Sequence, residues 1–107
     1  MGYKRKFTRL PLSVQGDLNR SGEIIPCQVV DLSEKGMLLR TGIPLTLGEE
    51  LPFNFILGPS RRLQCTVKIV RMAKSDYGAQ IVTISQDDQQ YLTEYLDDYI
   101  QSNFGRF

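Results

Sequence analysis

The sequence predicts a mainly β domain: a six-stranded antiparallel β-barrel followed by a C-terminal α-helix. Three observations support this fold class. Apolar and polar residues alternate in several short runs, and clusters of turn-forming residues separate these runs. The hydrophobic period then changes from two residues to the helical period near residue 86. A barrel suits many short strands because it leaves few open sheet edges.

The first three strands are predicted in the N-terminal half of the chain. The first runs from Pro11, which excludes a helix there, to about Leu18. The second runs to Asp31 with alternate residues on one face, and Pro26 within it suggests an edge position or a bulge. The third is short and starts at Met37.

Three further strands and a helix follow. The fourth and fifth strands alternate clearly, with these apolar residues in phase: Leu51, Phe53, Phe55, Leu57, Leu63, Cys65, Val67 and Ile69. The sixth runs from Tyr77 to Ile84, and its Gly78 marks a bulge or a close backbone approach. Ser85 and Asp88 resemble a capping box, so the helix should begin near residue 86. Its tyrosine stripe is expected to pack on the sheet, and its acids to form a solvated face.

The bulk properties indicate one globular domain. The chain has 107 residues, of which 41% are apolar and 23% charged. We divide it into a flexible basic arm, residues 1–10, and a single domain, residues 11–103. No run is long enough to span a membrane and no signal peptide is apparent, so we expect a cytoplasmic protein.

Several classes of site find little support. The chain has no histidine, so neither a general base near neutral pH nor a histidine-containing metal site is expected. It has neither a nucleophile elbow nor a glycine-rich phosphate loop before a helix, and we therefore predict that it is not an enzyme. Cys27 and Cys65 are interpreted as buried thiols in a reducing cytosol, with a disulfide as the alternative.

The charged residues point instead to anion binding by one segment. The net charge is only +1, which makes general nucleic-acid binding unlikely. Yet residues 3–9 contain four cations: Lys4, Arg5, Lys6 and Arg9. An arginine fork can hold phosphate oxygens in pairs or stack on a purine ring. A solvated basic tail is the simpler interpretation of this arm taken by itself.

The turn from Asp31 to Gly36 has two interpretations as well. By itself it is a hairpin connection, in which Asp31 and Ser33 bond nearby backbone and Gly36 adopts a positive φ. Alternatively, the carboxylate of Asp31 accepts the two N–H donors on a guanine edge, with Ser33 as a further polar contact. Combined with Arg5 and Arg9, this turn would describe a site for a guanine nucleotide.

The two segments together resemble the PilZ domain family. Arg5-x-x-x-Arg9 is followed about twenty residues later by Asp31-x-Ser33-x-x-Gly36, on a matching order of strands. The resemblance implies a six-stranded barrel with a C-terminal helix that binds cyclic di-GMP. It implies that the two arginines hold phosphates and guanine faces, and that Asp31 and Ser33 contact a guanine. Many members carry another basic residue beside the arginine motif, and Lys4 stands there.

The resulting hypothesis is a cyclic di-GMP receptor whose arm becomes ordered on ligand binding and which then signals in trans to an unidentified effector protein. No cofactor or metal is expected. One alternative is a protein-interaction adaptor of the same fold that binds no ligand. Another is a small barrel that binds single-stranded nucleic acid, which would need exposed aromatic residues. Phe53 and Phe55 share the phase of the predicted core.

Overall fold

The computed structural model of the protein describes the backbone of residues 10–59 and 61–103, and the side chains of residues 13–59 and 61–99. It contains the predicted elements in the predicted order. The fifth strand is longer than its alternating pattern indicated, because pairing with the sixth strand continues to the connecting turn. The elements are β1 (Leu10–Arg20), β2 (Glu23–Leu32), β3 (Gly36–Arg40), β4 (Glu50–Leu57), β5 (Arg61–Ala73), β6 (Asp76–Ile84) and α1 (Gln86–Asn103).

The six strands form one closed antiparallel barrel, as predicted. Their order around the barrel is β1-β2-β3-β6-β5-β4. Four of the six pairings are hairpins between consecutive strands: β1–β2, β2–β3, β4–β5 and β5–β6. The other two pairings join β3 to β6 and β1 to β4, and the second of these closes the barrel. This closure removes the open sheet edges that would otherwise invite association with other chains.

The core fills the interior of the barrel. Phe53 and Phe55 are fully buried, with ring centroids 5.2 Å apart. The helix covers one end with Leu92 and Leu96. At another point of the barrel, Leu45 from the β3–β4 loop is buried, and its N–H donates to the hydroxyl of Tyr77 over 3.2 Å. The barrel interior is therefore packed with side chains and is not available to a ligand.

The start of the helix agrees in part with the sequence prediction. The N–H of Asp88 donates to the hydroxyl of Ser85 over 3.1 Å, which is the expected cap. The carboxylate of Asp88, however, is not on a solvated face. It accepts hydrogen bonds from the guanidinium of Arg61 and the backbone N–H of Gln64, at 3.0 and 3.1 Å. These bonds tie the first turn of the helix to β5.

The register shifts among the described strands include β-bulges in β2 and in β5. In β2, Val29 pairs with Leu39 but Asp31 pairs with Leu38, so Val30 is an extra residue relative to β3. In β5, Val70 is the extra residue opposite β6. A bulge of this kind reverses which face the following residues present. Both shifts affect charged residues, Asp31 and Arg71.

Candidate functional site

The turn between β2 and β3 is held closed by Ser33. This residue is only 7% exposed, and its N–H donates to the carbonyl of Gly36 over 2.9 Å. Its hydroxyl donates to the same carbonyl over 3.2 Å and accepts from the N–H of Lys35 over 3.4 Å. Since a hydroxyl has one hydrogen, the donor of Ser33 is occupied, while one acceptor lone pair remains. Its main contribution is therefore to fix the shape of the turn.

Gly36 is required here for a different reason than the sequence suggested. The expected positive φ is wrong, because the left-handed glycines of the described chain are Gly22, Gly48 and Gly58. Instead, a Cβ on Gly36 would collide with the carbonyl oxygen of Ala79. The glycine thus allows β3 to begin in close contact with β6.

Asp31 reaches the outside of the barrel because of the bulge at Val30. The alternate residues before it, Ile25, Cys27 and Val29, point into the core, and unbroken alternation would place Asp31 there as well. With the extra residue, Asp31 is partly exposed and Leu32 is buried. The bulge therefore places a carboxylate on the outer face of the barrel, next to the turn.

The other half of the predicted site lies outside the described residues. Lys4, Arg5 and Arg9 belong to it, so their positions remain a prediction from the sequence. What the structure does describe is where the arm joins the barrel. β1 starts at Leu10, which pairs with Leu32, and Leu32 lies between Asp31 and Ser33 in the chain.

An open groove of about 410 Å³ lies beside the turn. Its described lining contains two cations and no acid, and residues from β3, β5 and β6 contribute to it. The groove is also lined by Lys35, Arg71 and Gln80, which were not among the site residues predicted from the sequence. One signal was present: the apolar phase of β5 stops at Arg71, opposite the glycine already suspected of marking a bulge.

A second groove, of about 440 Å³, is less suited to an anion. It is formed by parts of β4, β5 and β6 and by the start of the helix, and it shares no described residue with the turn. Its described lining has no cation, and it includes the carboxylate of Asp88. The described lining of this groove therefore offers no cation to hold a phosphate, and its one carboxylate is already paired with Arg61.

The described residues contain neither a reactive thiol nor a cluster of metal ligands. Cys27 and Cys65 are free, buried thiols, which agrees with the sequence interpretation. Burial raises the pKa of each to about 12, so neither forms a reactive thiolate near neutral pH. Among the described residues, no cluster of potential ligands could hold a metal ion. In the same part of the chain, no helix has the length and apolar character needed to cross a membrane.

Comparison with solved structures finds the same fold in proteins of low sequence identity. The inhibitor of motility MotI/DgrA of Bacillus subtilis matches 95% of this chain at 18% identity, with a TM-score of 0.79. The match covers 54% of the Bacillus chain, so this chain spans about half its length. The PilZ domain of YcgR from Escherichia coli, solved with cyclic di-GMP, matches 98% of this chain and all of its own, at 12% identity and a TM-score of 0.73.

A third structure is the PilZ domain of CeSA from a cellulose-synthesizing bacterium. It matches 86% of this chain and 97% of its own, at 14% identity and a TM-score of 0.65. Among curated protein sequences none gives a significant match. The model of the PilZ domain family, however, matches residues 3–98, which covers the arm, the turn, all six strands and most of the helix. With its closed six-stranded barrel, C-terminal helix and matching sequence, this chain belongs to the PilZ domain family.

Proposed function

We propose that this domain is a receptor for cyclic di-GMP, a ligand-binding module with no catalytic step. The observation that carries the proposal is the segment from Asp31 to Gly36: Asp31 lies on the outer face, and Ser33, two residues later, lines a groove whose described lining has two cations and no acid. The YcgR domain solved with cyclic di-GMP has the same fold, which supports this choice of ligand.

In this proposal the turn recognises a guanine base. A guanine presents adjacent N1–H and N2–H donors, and the two oxygens of Asp31 are matching acceptors. Ser33 holds the turn in shape through its bonds to Gly36 and Lys35, so Asp31 is positioned before the ligand arrives. A preorganised acceptor of this kind saves the entropy of ordering it on binding.

The arm supplies the phosphate contacts in this proposal. Arg5 and Arg9, with Lys4 beside them, neutralise the two phosphates of the dinucleotide. The junction of arm and barrel supports this arrangement, since β1 begins at Leu10 and Leu10 pairs with Leu32 at the turn. Binding then orders the arm over the barrel face, and an effector protein recognises the new surface in trans.

Calorimetry with cyclic di-GMP, GTP and linear pGpG tests the ligand. We expect the cyclic dinucleotide to bind most tightly, and Arg5→Ala or Arg9→Ala to weaken binding by at least about 100-fold, since each removes charged hydrogen bonds to phosphate. The melting temperature of the ligand-free protein should barely change. Arg62→Ala, an exposed arginine elsewhere on β5, is the matched control and should bind like the wild type.

Hydrogen exchange of residues 3–9 tests the ordering step. These amides should become protected when cyclic di-GMP is added to the wild type, and should stay unprotected in Arg9→Ala. Equal exchange with and without bound ligand would contradict the ordering mechanism while leaving ligand binding intact. Pull-down of an effector only in the presence of the dinucleotide would support signalling in trans, and ligand-independent capture would speak against it.

The two alternatives make different predictions. A flat calorimetric titration of the wild type would favour the adaptor that binds no ligand. Nucleic-acid binding with a steep salt dependence would favour the single-strand-binding barrel. That second alternative is weakened by Phe53 and Phe55, because both rings are inside the core and neither can serve as a stacking platform.

A further inference from the structure

Arg71 lies on the outside of the barrel because of a bulge. In β5 the inward residues Leu63, Cys65, Val67 and Ile69 occupy alternate positions, and unbroken alternation would turn Arg71 into the core. The extra residue Val70 shifts the pairing so that Arg71 lies opposite Gly78, and Arg71 is exposed, as are its neighbours Val70 and Met72. A bulge in β2 likewise places Asp31 on the outer face. The acid and the base therefore lie on the same outer surface of the barrel.

The side chain of Arg71 lies across Gly78, which has no side chain of its own. Arg71 pairs with Gly78 on β6, and a Cβ built on Gly78 would lie 3.2 Å from Nε, 3.3 Å from Cβ and 3.5 Å from Nη2 of Arg71. The whole length of the side chain therefore follows the surface of the strand. Gly78 is buried although it is on the outer face, because Arg71 covers it.

The guanidinium is not committed to a carboxylate. No salt bridge or hydrogen bond joins it to another of the residues whose side chains the structure describes. The described lining of the groove that it borders contains a second cation, Lys35, and no acid. Two of the guanidinium nitrogens, Nε and Nη2, lie over Gly78, and Arg71 is exposed, so the group is accessible to a further planar group.

Arg71 and Asp31 belong to one row of residues across the sheet. Asp31 pairs with Leu38, Leu38 with Gly78, and Gly78 with Arg71. The guanidinium over Gly78 is thus two strand spacings from Asp31, or roughly 10 Å. Between them the row offers only the half-buried Leu38. The row therefore has the carboxylate of Asp31 at one end and the guanidinium of Arg71 at the other.

We propose that Arg71 is a stacking platform for a guanine base of the bound dinucleotide, a specificity-determining contact beyond the arm and the turn. This inference rests on the proposed function. A guanidinium stacks on a purine and attracts its electron-rich face, whereas a lysine ammonium provides charge without the planar contact. The groove formed by Ser33, Gly36 and Gln80 leaves room for a base to reach the platform.

The test is calorimetry on Arg71→Lys together with NMR of arginine side chains. Arg71→Lys keeps the charge and removes the plane, so cyclic di-GMP should bind about tenfold more weakly than to the wild type. Arg62→Lys is the matched control, since Arg62 is exposed on the same strand and should tolerate the change. In the wild type, saturation with ligand should move the δ-methylene proton signals of Arg71 upfield, as a stacked ring requires, and leave those of Arg62 in place.

The outcomes separate the inference from the proposed function. A wild type that does not bind cyclic di-GMP overturns the receptor function itself. A wild type that binds, with an Arg71→Lys variant of unchanged affinity, overturns the platform and leaves the receptor. An upfield shift of Arg71 with weakened Arg71→Lys binding supports it. Equal melting temperatures of ligand-free wild type and Arg71→Lys would confirm that the variant is folded.

Discussion

Gly36 gives the sharpest test of how the turn is built. Replacing it by alanine adds one methyl group, which would collide with the carbonyl oxygen of Ala79. Ala79 cannot easily retreat, because it is 4% exposed and pairs with Met37 on one side and Ile69 on the other. The main chain bond from the N–H of Ile81 to the carbonyl of Lys35, at 2.8 Å, fixes the same contact.

The expected cost follows from these contacts. Forcing a methyl into a packed, paired site costs about 1–3 kcal/mol. Alanine also restricts the backbone of the unfolded chain, which stabilises the folded state by about 0.4–1 kcal/mol. From the middle of each range, the net destabilisation of Gly36→Ala is about 1.3 kcal/mol. For a domain of this size that corresponds to a fall in melting temperature of about 5–10 °C.

Gly42→Ala is the matched control for this measurement. A Cβ there would meet no atom within 4 Å, and Gly42 has no left-handed φ. Thermal unfolding of both variants without ligand should show a clear loss for Gly36→Ala and little change or a slight gain for Gly42→Ala. Melting temperatures of the two variants within about 2 °C of each other would refute the steric account and leave the glycine as a contact for the ligand.

Two further predictions concern the rest of the barrel. Tyr77→Phe leaves the buried N–H of Leu45 without its acceptor and should lower stability by about 1–3 kcal/mol in chemical denaturation. Tyr95→Phe, which loses no hydrogen bond to a described residue, should be near neutral, and equal losses would contradict the role of the Tyr77 hydroxyl. The hydrogen bond from Arg20 lowers the pKa of the Glu49 carboxyl. The pair therefore stabilises the fold at pH values above the ordinary carboxyl range, and this stabilisation is lost as the pH falls through the lowered pKa. Glu49→Gln should therefore melt about 1–5 °C below the wild type at pH 7, and this difference should shrink as the pH falls below the ordinary carboxyl range; a pH-independent difference would contradict this assignment.

The sequence by itself determined the number, type and order of the elements. Alternation in β4 and β5 and helical spacing in α1 are local patterns, because each reflects one face turned toward the core. The cap at Ser85 was also readable, since it involves residues three apart. The signature that named the family, with Asp31, Ser33 and Gly36 in it, was equally local.

Only the tertiary structure decided which residues face outward at the bulges and how Ser33 and Gly36 shape the turn. Alternation alone assigns Asp31 and Arg71 to the core, and the extra residues Val30 and Val70 exist only relative to the paired strands. The need for Gly36 comes from Ala79, more than forty residues away in the chain. The partners of Asp88 on β5 were hidden for the same reason. The hydrophobic period of a strand can be seen in its own sequence, whereas the pairing register and the close contact of two backbones depend on both strands.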